Sequence, residues 1–150
     1  MKGWFAVVRG SFRDRSETPA EVEQDMTPPA NPYARTRSSG RFTVVEVTGE
    51  IDMATANLLA EHLDAATAKG VPDVLVDLRL VEFFDCSGLR ALCRAEDRAR
   101  RSGGRLRLVV GGSAVRRLLM AARLTDRFPP LAEIPGEEPE FEDRPSGPGS

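Results

Sequence analysis

Two junctions in the chain combine residue types able to do chemistry: Gly49-Glu50-Ile51-Asp52 and Phe84-Asp85-Cys86-Ser87-Gly88-Leu89. The second sets a thiol, Cys86, beside a hydroxyl, Ser87, directly after a carboxylate and at the start of a helical stretch. The first amides of a helix lack partners inside it and carry the positive end of its dipole. Such a position favours an anion, whether thiolate, phosphate or carboxylate. Asp85 reads as the N-cap of that helix, accepting a bond from a first-turn amide, and Asp52 reads as a cap of the earlier helix. Capping accounts for the two aspartates but not for a thiol and a hydroxyl side by side.

The surrounding pattern supplies the elements that hold these junctions. Phe42 to Val47 is a β-branched and aromatic run, hence a strand, and Asn31 to Arg37 reads as its partner through a Ser38-Ser39-Gly40 turn. Residues 53–69 place Leu58, Leu59, Leu63 and Ala66 at helical spacing before Gly70. Asp73 to Leu78 is a strand with Val74, Val76 and Leu78 on one face. The central helix runs to Ser102, buries Leu89, Leu92, Cys93 and Ala99, and ends at Gly103-Gly104. Arg105 to Val110 is a further strand, and Gly111-Gly112-Ser113 opens a third helix with Val115, Leu118 and Leu119 along one side. Strand followed by helix, three times over, predicts an α/β fold with a mostly parallel central sheet of four to five strands flanked by helices. In such folds, sites gather where strands end and helices begin, which is where both junctions fall.

Composition bounds the rest. The 150 residues fit one domain; 41% are hydrophobic and 29% charged, which excludes wholesale disorder and a fibrous repeat. A net charge of −2 does not argue for a polyanion binder. No apolar run approaches the roughly 18 residues that would span a bilayer, and Arg9 cuts short the apolar start, so neither a membrane segment nor a secretory leader is expected. Cys86 and Cys93, two helical turns apart, read as free thiols of a reducing cytoplasm. Ten of the 11 prolines fall at Pro19 to Pro32 or from Pro129 onward. Together with few large apolar side chains over 13–40, this sets the domain at about 31–134. Residues 1–30 read as a flexible extension and 135–150 as a disordered acidic tail. That tail reads chiefly as solvated, its functional alternative being an acidic peptide competing for a basic surface.

The series Gly49-Glu50-Ile51-Asp52, Val76-Asp77-Leu78, Phe84-Asp85-Cys86-Ser87-Gly88-Leu89 and Gly103-Gly104-Arg105-Leu106 resembles the STAS domain of bacterial anti-sigma factor antagonists. Ser113 to Leu119 and Leu124 to Phe128 resemble the closing helix and turn of that family, so the resemblance covers about residues 40–130. It implies a binding module rather than an enzyme. The partner implied is an anti-sigma factor with an ATP-binding, serine-kinase fold, whose capture releases a sigma factor. It also implies that the kinase phosphorylates the first hydroxyl of an Asp-Ser-Ser/Thr-Gly-Leu loop. A phosphate adds roughly 1.5 to 2 negative charges in that interface and dissociates the complex. Partner contacts carried over in this way are Asp52, Asp85, Cys86, Ser87, Gly88 and Leu89.

This chain departs from the pattern at the acceptor itself, which is Cys86; Ser87 matches the second hydroxyl and is the one nearby substitute. A thiol preserves the shape but is not the acceptor a serine kinase expects. Arg90 stands where the family often has a small residue. Arg90, Arg94, Arg98 and Arg101 make a basic stripe, read as a solvated face partly neutralised by Glu96–Arg100 and Asp97–Arg101 pairs. Next to a docking loop, Arg90 and Arg94 could also meet an acidic partner. Without interleaved aromatics the stripe is a poor nucleic-acid site.

Two rivals stand beside this reading. Cys86 could be a catalytic or redox thiol, but no base lies near it in sequence, and His62, the single histidine, sits in a helix of Ala and Leu where a surface or packing role is expected. Alternatively, the domain could be an interaction subunit of a stress-signalling or transport assembly, since domains resembling this one occur there too. Asp52, Asp77 and Asp85 could in principle gather at one sheet end around a hard cation, although capping is the commoner use, and no cofactor is expected. The oligomeric state stays open, because an edge strand near 31–37 could pair with another chain.

Overall fold

A computed structural model of the chain describes residues 27–137. Four strands and three helices follow in the order β1 (Ala34–Ser39), β2 (Phe42–Ile51), α1 (Ala56–Ala66), β3 (Asp73–Phe84), α2 (Cys86–Arg101), β4 (Arg105–Val109) and α3 (Ser113–Ala121). They build one sheet of order β1-β2-β3-β4, antiparallel at β1–β2 and parallel at the other two pairings. The α/β architecture with a mostly parallel sheet is the one the pattern predicts.

Side chains alternate across this sheet, and the two faces differ in character. Val45 and Val47, Val74 and Val76, and Leu106 and Leu108 point to the face where Leu59 and Leu63 of α1, Leu92 and Ala95 of α2 and Val115 and Leu119 of α3 pack. The opposite face carries a smaller cluster of Phe42, Val44, Leu75 and Val109, closed by Ile134 from the chain after α3. Leu131 pairs with Val109 in a parallel bridge, so this following segment also lines the outer edge of β4.

Three boundaries depart from expectation. β1 begins at Ala34 rather than Asn31, because Asn31 Oδ1 accepts from the amides of Tyr33 and Ala34 and forms a turn of its own. Ser38 and Ser39 belong to the strand, and the hairpin turns on Gly40 and Arg41, with Gly40 at φ +59°. The first helix starts at Ala56 rather than 53. β3 departs furthest, running six residues past Leu78. Thr48 pairs with Leu80 and Glu50 with Phe83, so β3 carries an extra residue between Asp77 and Leu80 and another between Val81 and Phe83. Each irregularity shifts the alternation, so Leu78, Val81 and Phe84 face the helices while Leu80 and Phe83 turn to solvent. A simple alternating pattern breaks at each bulge and hides the strand.

Ile134, the last residue of the expected domain span, is a core residue, 1% exposed. The expected N-terminal extension lies outside the described residues up to residue 26. Pro29, also within that extension, is tied to the domain through its carbonyl, which lies 3.1 Å from His62 Nε2.

Candidate functional site

Parallel strands end side by side, so the loops after β2 and β3 meet. Ile51 pairs with Phe84, and the Asp85 amide donates to the Ile51 carbonyl at 3.1 Å. Asp85 then caps α2: its Oδ1 accepts from the Ser87 amide at 2.8 Å, and its carbonyl accepts from the Leu89 amide at 3.1 Å. This fixes the first turn and places Cys86, the first residue of α2, on the surface. Ser87 is half-buried behind it and Leu89 is buried in the core.

Gly88 permits that turn to sit where it does. A Cβ built there would lie 2.7 Å from Phe84 Cζ and 2.9 Å from Ile51 Cγ2, well inside contact distance. Glycine thus lets the helix start close down over the paired strand ends.

Asp52 differs from its expected role. Its Oδ1 accepts from the amides of Ala54 and Thr55 at 2.9 and 3.1 Å, while Thr55 Oγ1 accepts from the Asp52 amide at 3.0 Å. It therefore closes a turn ahead of α1, and Thr55 occupies the N-cap place without a side-chain capping bond. The turn leaves Met53, directly after Asp52, 82% exposed. Phe83 and Leu80, turned outward by the bulges of β3, are 50% and 72% exposed on the strand leading into that loop. These three apolar side chains escaped the sequence reading. The signal of Leu80 and Phe83, large hydrophobics at positions out of phase with the strand, becomes legible only once the bulges are known.

The basic stripe divides in two. Arg90 and Arg94 are exposed, with no ion-pair partner among the described residues. Arg98 instead crosses to α1, bonding Asp64 at 2.5 Å and Thr67 at 3.0 Å. Both expected helix pairs form, Glu96–Arg100 at 3.0 Å and Asp97–Arg101 at 3.6 Å. Arg127 adds a contact not foreseen, reaching Glu96 at 2.8 Å and the Cys93 carbonyl at 2.9 Å. Burial pushes the Cys93 thiol up, as suits an inward-facing cysteine rather than a reactive one.

The three aspartates considered for a cation do not meet. Asp77 pairs with Arg79 at 2.8 Å, opposite Glu46 and well before the Ile51–Phe84 end of the strands. Among the described residues no group of three His, Cys, Asp or Glu could hold a metal ion. Of the surface and packing roles open to it, His62 takes the packing one: it is fully buried under β1, 2.7 Å from Thr36 Oγ1. No described helix is long and apolar enough to cross a membrane.

The STAS domain family matches residues 33–135. The chain belongs to the STAS domain family. Among solved structures, this STAS domain is similar to an anti-sigma factor antagonist from Mycobacterium paratuberculosis, at 30% identity and a TM-score of 0.63 over 72% of this chain and 92% of that one. An anti-sigma-factor antagonist (STAS) domain protein from Planctomyces limnophilus matches at 22% identity and a TM-score of 0.61, over 67% and 90%. The antagonist SpoIIAA in its unphosphorylated form matches at 18% identity and a TM-score of 0.57, over 67% and 89%. The last two show the shared fold. No curated protein matches the chain by sequence.

Proposed function

We propose that this STAS domain is an anti-sigma factor antagonist that docks an anti-sigma factor of serine-kinase-like, ATP-binding fold through the joined loop ends of β2 and β3. The observation that carries this reading is the capped start of α2, where Asp85 and Gly88 hold an exposed Cys86, while Met53, two residues after β2, and Phe83, near the end of β3, face solvent. Exposed apolar side chains around a rigid turn are what a protein partner can bury, and aromatic anchors contribute most in such contacts. Asp52, Ser87 and Leu89 shape the surface from beneath, and Arg90 and Arg94 extend it along α2 with charge that no described residue pairs. Cys86 occupies the place of the phosphoacceptor and matches a hydroxyl in size, so docking survives while the kinase loses its acceptor. The domain acts as a binding module in the cytoplasm, and its capture of the anti-sigma factor does not end through phosphorylation of this loop.

The test incubates the purified chain with its anti-sigma factor and ATP. Wild type binds and gains no phosphate, Cys86→Ser binds and is phosphorylated, and Ser87→Ala leaves both results unchanged. Phosphate on Ser87 of the wild type would overturn the escape from control, and absence of binding to any ATP-binding anti-sigma factor would overturn the antagonist role.

A further inference from the structure

Parallel strands also begin side by side, and a trough opens where they do. Two recesses, of about 300 and 380 Å³, adjoin there at Arg41, Val71, Pro72 and Asp73, with Lys69 bordering the first and Arg105 the second. Arg41 precedes β2, Asp73 opens β3 and Arg105 opens β4, so the trough lies the whole length of β3 away from the Asp85–Gly88 turn. Its wall is closely built. The Arg105 amide donates to the Pro72 carbonyl at 2.8 Å, and a Cβ on Gly104 would run into that same oxygen, so glycine is what lets the chain after α2 approach.

The trough is short of negative charge. Asp73 is the one carboxylate among its described lining residues, and it serves three guanidinium groups: Arg41 at 3.6 Å, Arg105 at 3.3 Å and Arg107 at 3.6 Å. Arg107 Nε and Nη2 are shielded from solvent and find no hydrogen-bond acceptor among the described residues. Buried donors without acceptors are costly, so the cluster around Asp73 holds more donors than the described chain can match. Arg41 and Arg107 also lie over the Phe42 ring, at 5.2 and 5.6 Å, which fixes their planes without neutralising them. Arg37, which lines the first recess too, is by contrast fully engaged, by Glu46 at 2.6 Å and by both oxygens of Glu137 at 2.9 and 3.1 Å. Arg41 and Arg105 stay more than half exposed, and Val71, common to both recesses, is 71% exposed.

We infer that this trough is a second docking surface, which takes an extended acidic segment of a protein partner with an apolar side chain between its carboxylates. The carboxylates answer Arg41, Lys69 and Arg105, and the apolar side chain covers Val71 and Pro72. An apolar centre inside a charged rim is the usual anatomy of a protein interface, and clustered arginines are a common reader of acidic motifs. A nucleic acid would meet charge here but no aromatic ring among the described lining residues on which to stack a base. The surface stands apart from the α2 turn, so it does not depend on what docks there.

The test titrates the full 150-residue chain with the peptide acetyl-Glu-Glu-Leu-Glu-Glu-amide and follows amide shifts by NMR at low salt. Saturable shifts are expected at residues 41, 69–73 and 103–105, with residues 85–94 unmoved. Arg41→Gln with Arg105→Gln weakens binding by about fivefold or more, and so does about 1 M salt. Glycine in place of the peptide's leucine weakens it as well. The amides of α2 hold their positions in the variant, which shows that it remains folded. No saturable binding, shifts centred on residues 85–94, or an affinity indifferent to the two arginines would overturn the proposal. So would displacement of the peptide by an equal concentration of inorganic phosphate, which marks a simple anion site, or of oligothymidine, which marks a nucleic-acid surface.

Discussion

Gly88 lies against the ring of Phe84 so closely that a methyl group on it would come within 2.7 Å of Phe84 Cζ. The contact joins the first turn of α2 to the end of β3 and sets the height at which Cys86 is presented. Alanine favours a helix over glycine by about 1 kcal/mol, but forcing a methyl into packed surroundings costs about 1–3 kcal/mol. Gly88→Ala is therefore expected to lower stability by about 1 kcal/mol on balance. It should also displace the loop, weakening partner binding by more than the stability loss accounts for. Denaturant unfolding and a binding titration on the same protein check this, and unchanged values in both would show that the loop tolerates the methyl.

Asp85 should act chiefly through the Ser87 amide. Asp85→Ala removes the acceptor and is expected to cost about 1 kcal/mol, within the range found for N-caps. Asp85→Asn keeps an acceptor oxygen and should lose only a few tenths of that. Thermal unfolding distinguishes the two, and equal losses would mean that the charge at the helix start, not the cap bond, carries the effect.

The clamp at Glu137 predicts a particular response to acid. Hydrogen bonds from Arg37 and Ser39 hold the Glu137 carboxyl at about 2, down from the usual 4.5. A carboxylate with a depressed folded-state value stabilises the fold above its unfolded value, and loses that contribution as pH falls through the folded one. The Glu137 contribution is thus complete above about pH 5 and declines towards pH 2. Glu46 adds to the same limb: burial alone would raise it, but bonds from Arg37 and Arg35 bring it below its usual value. Because Glu137 is partly exposed, the gain is expected to stay under about 1 kcal/mol. The stability gap between wild type and Glu137→Gln, followed by urea unfolding, should close as the pH drops below 4.5; a gap constant with pH would refute the clamp.

What the sequence disclosed follows from where its signals are local. The cap at Asp85, the free thiols, the stop at Gly103-Gly104 and the strand-helix alternation each rest on residues near one another in the chain, and each appears in the structure. The bulges of β3 depend on pairing with β2, so no pattern inside Arg79-Leu80-Val81-Glu82-Phe83 reveals that Leu80 and Phe83 face outward. Arg98 looked like one of four equivalent surface arginines until α1 brought Asp64 beside it. Glu137 read as part of a solvated acidic run, since its partner Arg37 lies 100 residues earlier. Long-range pairing escapes composition and periodicity, and here it decides which charges and which apolar side chains remain for a partner.

Those remaining groups should divide their labour. Met53 and Phe83 are exposed, so Met53→Ala and Phe83→Ala should leave stability within about 0.5 kcal/mol of wild type. If Phe83 is an anchor of the interface, its loss raises Kd by tenfold or more, about 1.4 kcal/mol, mainly through faster dissociation. Arg90 and Arg94 should act differently, because exposed charges without partners steer encounter more than they hold a complex together. Arg90→Gln with Arg94→Gln is expected to slow association and flatten its dependence on salt, with little change in the dissociation rate. Surface-binding kinetics at two or more ionic strengths separates these effects. An association rate indifferent to both arginines would return them to the role of a solvated helix face and leave the apolar groups at the loop end to define the partner alone.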